Sequence, residues 1–268
     1  MKPQVYKDSR PAEFFEKYHR RVRAGRPDAM YKIVRVVLTV PMATLFRVRA
    51  IGVENVPSSG AAIVAPNHFS NLDHFLLAMY MRREVQFMAK SQLFRPPIDF
   101  IMNHGGVFPV MRGTHDQEAF ITAHTVLGRG GIVAMYGEGG RSRTKELGEP
   151  KSGLGRLALE SGVPVVPVAI HGSEHARDLR FPKVTIQYGK PVMFDKIDNP
   201  SRDQARQASV QVFERIREMY DALREGGRRA VVRAVRERRK QGLTSTEPTH
   251  VRVDPEPAVR EPETTKVA

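Results

Sequence analysis

The sequence predicts an α/β fold, a mixed but largely parallel sheet flanked by helices. Three observations predict it. From Val48 onward, short apolar runs alternate with helix-length patterned runs, the signature of strands joined by crossover helices. Ala61–Val64 and Val165–Ile170 are apolar at every position or nearly so, as strands covered on both faces are. The apolar fraction of 41% over 268 residues is enough for a sizeable core.

In chain order, residues 1–47 form a basic, amphipathic helical segment. Ala12–Arg23 carries Phe14, Phe15, Tyr18 and Val22 at helical spacing. Met30–Arg49 holds an apolar centre of 11 residues, Val36–Phe46, between Arg35 and Arg47. A spanning helix needs about 20 residues, and Pro41 is expected to kink this one. Two readings stand: an interfacial anchor with Lys32, Arg35, Arg47 and Arg49 at the headgroups, or a helix packed on the core.

Residues 48–225 are expected to form the main domain. Its strands are read at Val48–Val53, Ala61–Ala65, Val85–Ala89, Val107–Met111, Gly131–Tyr136, Val165–Ile170 and Lys183–Tyr188. Its helices are read at Asp73–Met81, Gln117–Leu127, Ser152–Ser161 and Ser201–Arg224. Residues 226–243 are a basic helical extension. Arg228–Lys240 carries seven basic residues against one acidic, with a thin stripe of Val231, Val232 and Val235. It reads as a lipid- or nucleic-acid-binding strip, or as a solvated face. Residues 244–268, rich in Pro, Glu and Thr, read as a disordered tail.

The 43 Lys and Arg against 29 Asp and Glu give a net charge of +14, which implies an anionic partner: nucleic acid, an anionic membrane or a phosphorylated substrate. Nucleic acid is not expected, because few aromatics interleave the basic runs and no nucleic-acid motif is present. The chain has no cysteine, which excludes disulfides, thiolate metal sites and a cysteine nucleophile. No secretory leader is visible, since the N-terminus opens on charged and polar residues.

The chemistry concentrates in Ala65-Pro66-Asn67-His68-Phe69-Ser70-Asn71-Leu72-Asp73. His68 leaves the end of a strand, and Asp73 stands five residues on, where a helix starts. A continuous helix would set the two side chains about 140° apart. Pro66, Asn67, Ser70 and Asn71 supply a turn instead, across which the carboxylate reaches the ring, holds one tautomer and leaves the other nitrogen as a base. The plain alternative is a helix cap beside a loop histidine. Further on, Gly106–Arg112 reads as a turn, a strand and an arginine. Tyr136-Gly137-Glu138-Gly139-Gly140-Arg141-Ser142 combines glycines that admit a ligand with an arginine suited to phosphate. Val163–Val168 is a strand entered through prolines.

Taken in order, these four blocks resemble those of the glycerophospholipid acyltransferase family, in particular the 1-acylglycerol-3-phosphate acyltransferases. Asn67-His68 through Asp73 matches the N-H-x-x-x-x-D signature; Gly106–Arg112 is similar to the second block. Tyr136–Ser142 looks like F-P-E-G-[TS]-R-S, and Val163–Val168 like the fourth, V-P-[apolar]-[apolar]-P-V. The resemblance covers about residues 48–190. Gly137 and Gly140 depart from the third block's proline and Thr or Ser, which affects the inference about the acceptor more than that about acyl transfer.

The resemblance implies a glycerolphosphate acyltransferase-like fold. It also implies transfer of a fatty acyl group from acyl-CoA or acyl carrier protein to the hydroxyl of lysophosphatidic acid, making phosphatidic acid in phospholipid biosynthesis. His68 and Asp73 are then catalytic, as base and orienting group. Arg112 and Arg141 hold the acceptor phosphate, with Glu138 and Gly139 shaping that loop. No cofactor or metal is expected beyond the acyl donor. The protein is expected at the cytoplasmic face of the membrane, peripheral or interfacial, on anionic lipid. Another acceptor (glycerol 3-phosphate, another lysophospholipid or a glycolipid) and a non-catalytic membrane-surface protein of this fold stay open.

Overall fold

The structure is a computed structural model in which residues 8–111, 116–142, 144–176, 181–243 and 246–254 are described. Helices α1 (Glu13–Ala24) and α2 (Ala29–Leu45) lead into strand β1 (Arg49–Ile51). There follow β2 (Ala62–Pro66), α3 (Asp73–Met79), β3 (Val85–Lys90), α4 (Ile98–His104), β4 (Val107–Val110), α5 (Gln117–Gly128) and β5 (Ile132–Ala134). After these come α6 (Ser152–Ser161), β6 (Val165–His171), β7 (Thr185–Tyr188), β8 (Val192–Phe194), the long helix α7 (Arg202–Lys240) and β9 (Thr249–Val251).

Among the described residues the strands join one sheet in the order β1-β7-β6-β2-β5-β3-β4, with β8 on β6 and β9 on β8. The pairs β2–β5, β2–β6, β3–β5, β3–β4, β1–β7 and β8–β9 are parallel; β6–β7 and β6–β8 are antiparallel. The sheet is therefore mixed and largely parallel. Central β2 shows why its residues are all apolar. Ile63 and Ala65 enter the core beneath α5, α6 and α7, whereas Ala62 and Val64 enter the opposite core with Tyr31, Leu76 and Leu77. Neither face of this strand meets water, so polar alternation would be costly.

The N-terminal helices pack on this body: α1 lies against α5 and β4, and buries Phe15, Tyr18 and Val22; α2 lies against α3. Helix α2 begins at the Asp28 cap, whose side chain accepts from Met30 N (2.9 Å), and continues through Pro41 to Leu45. No helix among the described residues is long and apolar enough to cross a membrane.

The helical extension read at 226–243 continues the preceding helix, and two readings change. Helix α7 runs past Arg224, capped by a reciprocal Ser201–Gln204 pair and kinked at Gly227, whose φ of 70° suits glycine. Beyond the kink, Arg228 donates to Thr185 Oγ1 and to the carbonyls of Arg47 and Val184. The Val231, Val232 and Val235 stripe packs on the protein's own core rather than facing a lipid or nucleic acid. Of the expected disordered tail, residues 246–254 hold β9, tied to α7 by Gln207, which exchanges two hydrogen bonds with Asp254 (2.6 and 2.9 Å); the rest of 244–268 lies outside the described residues. Helix α4 and strand β8 carried too little periodic pattern to be read.

Candidate active site

Strand β2 ends at Pro66, and the next residue continues its hydrogen bonding by other means. The Asn67 amide donates to Ile170 O (3.0 Å) and accepts from Ile170 N (2.7 Å), so a side chain stands in for strand backbone against β6. Asn67 is fully buried. That bridge lets the main chain leave the sheet at His68 without stranding the polar groups of Ile170.

The chain then turns through Phe69, Ser70 and Asn71 into α3, with Asp73 at its first position. The Asp73 carboxylate does not cap the helix that follows; no side chain caps α3. It points back into the turn. Asp73 Oδ2 accepts from Phe69 N (2.8 Å), Ser70 N (2.8 Å) and His68 Nδ1 (2.9 Å). An oxygen already taking two backbone N–H groups acts as an acceptor, so Nδ1 carries the proton and Nε2 is the basic nitrogen. Asp73 has no solvent exposure and His68 only 5%. The pair is thus desolvated and rigidly oriented at the carboxyl end of a central strand, where α/β sheets place their sites.

The loop after β5 closes over this turn. The Tyr136 ring stacks on the His68 ring, with centroids 4.0 Å apart and planes 30° apart. The His74 ring stands edge-on to His68 at 5.2 Å and also meets Tyr136 at 4.8 Å. Ser142 N donates to His68 O (2.9 Å), anchoring the far end of the loop to the same residue. Glu138 is buried, and both its oxygens take backbone N–H groups: His68 N (2.9 Å) and Gly148 N (3.1 Å). It therefore positions the histidine and shapes its own loop through the main chain. Gly139 has φ of 67°, and a Cβ there would sit 2.9 Å from the Lys151 side chain. Arg141 is partly exposed on this loop. Arg112 lies outside the described residues.

Burial pushes the Glu138 carboxyl up to about 7, the Asp73 charge adding to the rise and the two backbone bonds opposing it. Burial, then the charge of Asp73, holds the Tyr136 phenol well above its ordinary range. The Tyr136 hydroxyl and Asp73 Oδ1 are both buried without a hydrogen-bond partner among the described residues. Among those residues, no cluster of three or more His, Cys, Asp or Glu side chains is arranged to hold a metal ion.

Sequence reading gave Asn67 as a turn residue of the signature but not its bridge to Ile170, and it missed His74 and the stacking role of Tyr136. His74 directly follows the His–Asp motif, which was its only signal. Tyr136 stands where the resembling block has Phe, so its position was legible and its stacking was not.

A protein-family model described as Acyltransferase matches residues 47–171, a span that holds the His68–Asp73 turn and the loop closing over it. Over that span the chain is similar to the acyltransferase family. Its relatives include the chloroplastic 1-acyl-sn-glycerol-3-phosphate acyltransferase LPAT1 of Arabidopsis thaliana. That protein is 29% identical over 145 residues, which are 53% of this chain and 40% of the relative. The corresponding enzyme BAT2 of Brassica napus is 28% identical over 163 residues, 59% of this chain and 45% of the relative. A glycerol-3-phosphate acyltransferase of Ectopseudomonas mendocina is 30% identical over 135 residues, 45% of this chain and 16% of the relative. The chain thus spans less than half the length of these relatives. The fold is similar to the crystal structure of the 1-acyl-sn-glycerophosphate (LPA) acyltransferase PlsC from Thermotoga maritima. The TM-score is 0.52 at 21% identity, covering 77% of this chain and 88% of the other.

Proposed function

We propose that this chain moves a fatty acyl group from a thioester, acyl-CoA or acyl carrier protein, to the hydroxyl of lysophosphatidic acid, giving phosphatidic acid. The observation that carries the reading is the buried His68–Asp73 pair, held at 2.9 Å by a turn at the end of β2. His68 Nε2 takes the hydroxyl proton as the acceptor oxygen attacks the thioester carbonyl. The tetrahedral intermediate collapses by breaking the C–S bond, and the imidazolium returns the proton to the leaving thiolate. Asp73 stabilises the imidazolium between the two transfers. With no cysteine in the chain and no G-x-S-x-G elbow, the route is direct transfer rather than an acyl-enzyme. Arg141, with Arg112 from the block similar to the family's second, holds the acceptor phosphate bidentately. No cofactor beyond the donor is required.

Glycerol 3-phosphate is the second acceptor, favoured by the match to glycerol-3-phosphate acyltransferases. The chain works at the cytoplasmic face of an anionic membrane, without crossing it. The outer face of α2 supports this reading: Ile33, Val36, Val37 and Val40 form one stripe, each more than half exposed, beside Lys32 and Arg35. Labelled acyl-CoA and acyl carrier protein, offered with a panel of acceptors and read by product mass, test the reaction. Phosphatidic acid is the expected product, at a rate that falls about 10²–10⁴-fold in His68→Ala. Activity within a few fold of wild type in that variant refutes the mechanism.

A further inference from the structure

Helix α4 was not expected from the sequence, and its surface is unusual. It is only seven residues long, yet Ile98, Phe100 and Ile101 stand 56%, 56% and 45% exposed. Large apolar side chains grouped this way on a surface mark an interaction face. The helix is not isolated. It packs on both α1 and α2, and Asp28 N, at the start of α2, donates to His104 O at its end (3.2 Å). The exposed stripe of α2 and the exposed residues of α4 therefore belong to neighbouring helices.

Between α1 and α4 lies an open groove of about 570 Å³. Its α1 wall carries Lys17, Arg20 and Arg21, and its α4 wall carries Phe100, Asn103 and His104. The acidic groups nearby already have partners. Asp99 accepts from the Tyr18 hydroxyl (2.8 Å), and Asp28 is bonded to Arg21 and His104, both at 2.6 Å. The Lys17 ammonium rests over the Phe14 and Tyr18 rings, 5.2 and 4.8 Å from their centroids. Phe14 is itself 38% exposed. A cationic wall thus rises directly beside apolar side chains that stay largely exposed. An anionic headgroup above acyl chains presents the matching order of charge and apolarity.

We infer that the α1–α4 groove is a binding site for the phosphate of an anionic phospholipid headgroup, with Phe100, Ile98 and Ile101 entering the acyl region beside it. This deepens the bilayer reading proposed above and rests on it. It makes the docking surface a three-helix face whose charged half is α1 and whose apolar half is shared by α4 and α2. It adds to the face a helix that lies inside the main domain rather than in the N-terminal segment.

The test uses the full chain and vesicles of phosphatidylcholine with or without phosphatidylglycerol, read by sedimentation. Lys17→Gln with Arg20→Gln is expected to weaken binding to the anionic vesicles about 25-fold, at roughly fivefold per cation, and to leave binding to neutral vesicles within twofold. Phe100→Ser with Ile101→Ser is expected to weaken binding to both by about tenfold or more. Val36→Ser with Val40→Ser reports on the α2 stripe alone. The chain contains no tryptophan, so Phe100→Trp gives a single reporter whose emission is expected to shift to the blue on anionic vesicles. Groove variants that bind within twofold of wild type while the α2 variant loses binding would overturn the inference and keep the bilayer reading. So would an emission from the Phe100→Trp variant that vesicles leave unmoved. Wild-type protein that binds neither vesicle would remove both. Acyl transfer to a water-soluble short-chain acceptor, measured separately, reports on the proposed reaction independently of either result.

Discussion

Asp73→Asn separates the charge of the dyad from its geometry. In the wild-type protein one oxygen, Oδ2, takes three donors, while Oδ1 takes none among the described residues. The Phe69 and Ser70 amides fix which end of an asparagine side chain can face the turn. They require an acceptor, so the amide oxygen takes the place of Oδ2. His68 Nδ1–H then keeps its partner, the tautomer is preserved, and the variant loses the negative charge alone. At 2.9 Å and an effective dielectric constant of about 20, the ion pair with an imidazolium is worth about 6 kcal/mol. Neutral imidazole also gains from donating to a carboxylate, about 1.5–3 kcal/mol. The difference, about 3 kcal/mol, corresponds to ~10²-fold in kcat. The acid limb of the pH–rate profile is expected to move to lower pH, because the imidazolium loses its counter-charge. The new amide nitrogen falls where Oδ1 was, buried without an acceptor, and costs about 1–3 kcal/mol, or a fall in Tm of about 2–4 °C for each kcal/mol. Single-turnover acyl transfer over a pH series, with calorimetry, reads all three. A kcat within threefold of wild type would refute the catalytic role. A loss beyond 10⁴-fold would refute the orientation argument, since it would require the wrong tautomer.

Three further outcomes are expected. Glu138 binds its proton more tightly folded than unfolded, with its carboxyl at about 7 against an ordinary 4.5. Its contribution to stability is full below about pH 4.5 and is lost as pH rises towards 7, up to about 3 kcal/mol. Thermal melts of wild type and Glu138→Gln from pH 4 to 8 should diverge across that window, and parallel curves would contradict the assignment. Arg141→Lys keeps the charge and loses the planar fork, so the KM for lysophosphatidic acid should rise more than that for the acyl donor; the reverse would put Arg141 on the donor side. Tyr136→Phe keeps the ring on His68 and removes a buried hydroxyl that lacks a partner among the described residues. It should be neutral or stabilising by about 1 kcal/mol, and a Tm several degrees lower would show that the hydroxyl is satisfied in solution.

The sheet was readable in the sequence because parallel strands covered on both faces are largely apolar. β2, β3, β5 and β6 all lie within or within one residue of the runs read from composition. The short edge elements were not readable. β8 is three residues long, and β9 sits in a segment whose Pro, Glu and Thr content resembles disorder; pairing with a neighbour rather than composition makes each a strand. In the site, the His68–Asp73 pair followed from turn residues between a strand and a helix. That the same Asp73 oxygen also takes the Phe69 and Ser70 amides did not follow, because a helix-start aspartate ordinarily serves the helix ahead of it. Nor did the backbone bonds of Glu138. A carboxylate in a glycine-rich loop reads as a ligand group until the fold shows that the amide of His68 lies within its reach.

Trimming the chain at Leu243 would look harmless from composition, yet it would remove β9, strip one of β8's two partners and leave that edge of Val192–Phe194 with a bare row of N–H and C=O groups. Such a rim recruits other chains. Thr249–Val251 thus acts as a guard on the sheet, three residues long and too short to offer much of a template itself. Solubility, rather than catalysis, is the property most exposed to a cut at this end.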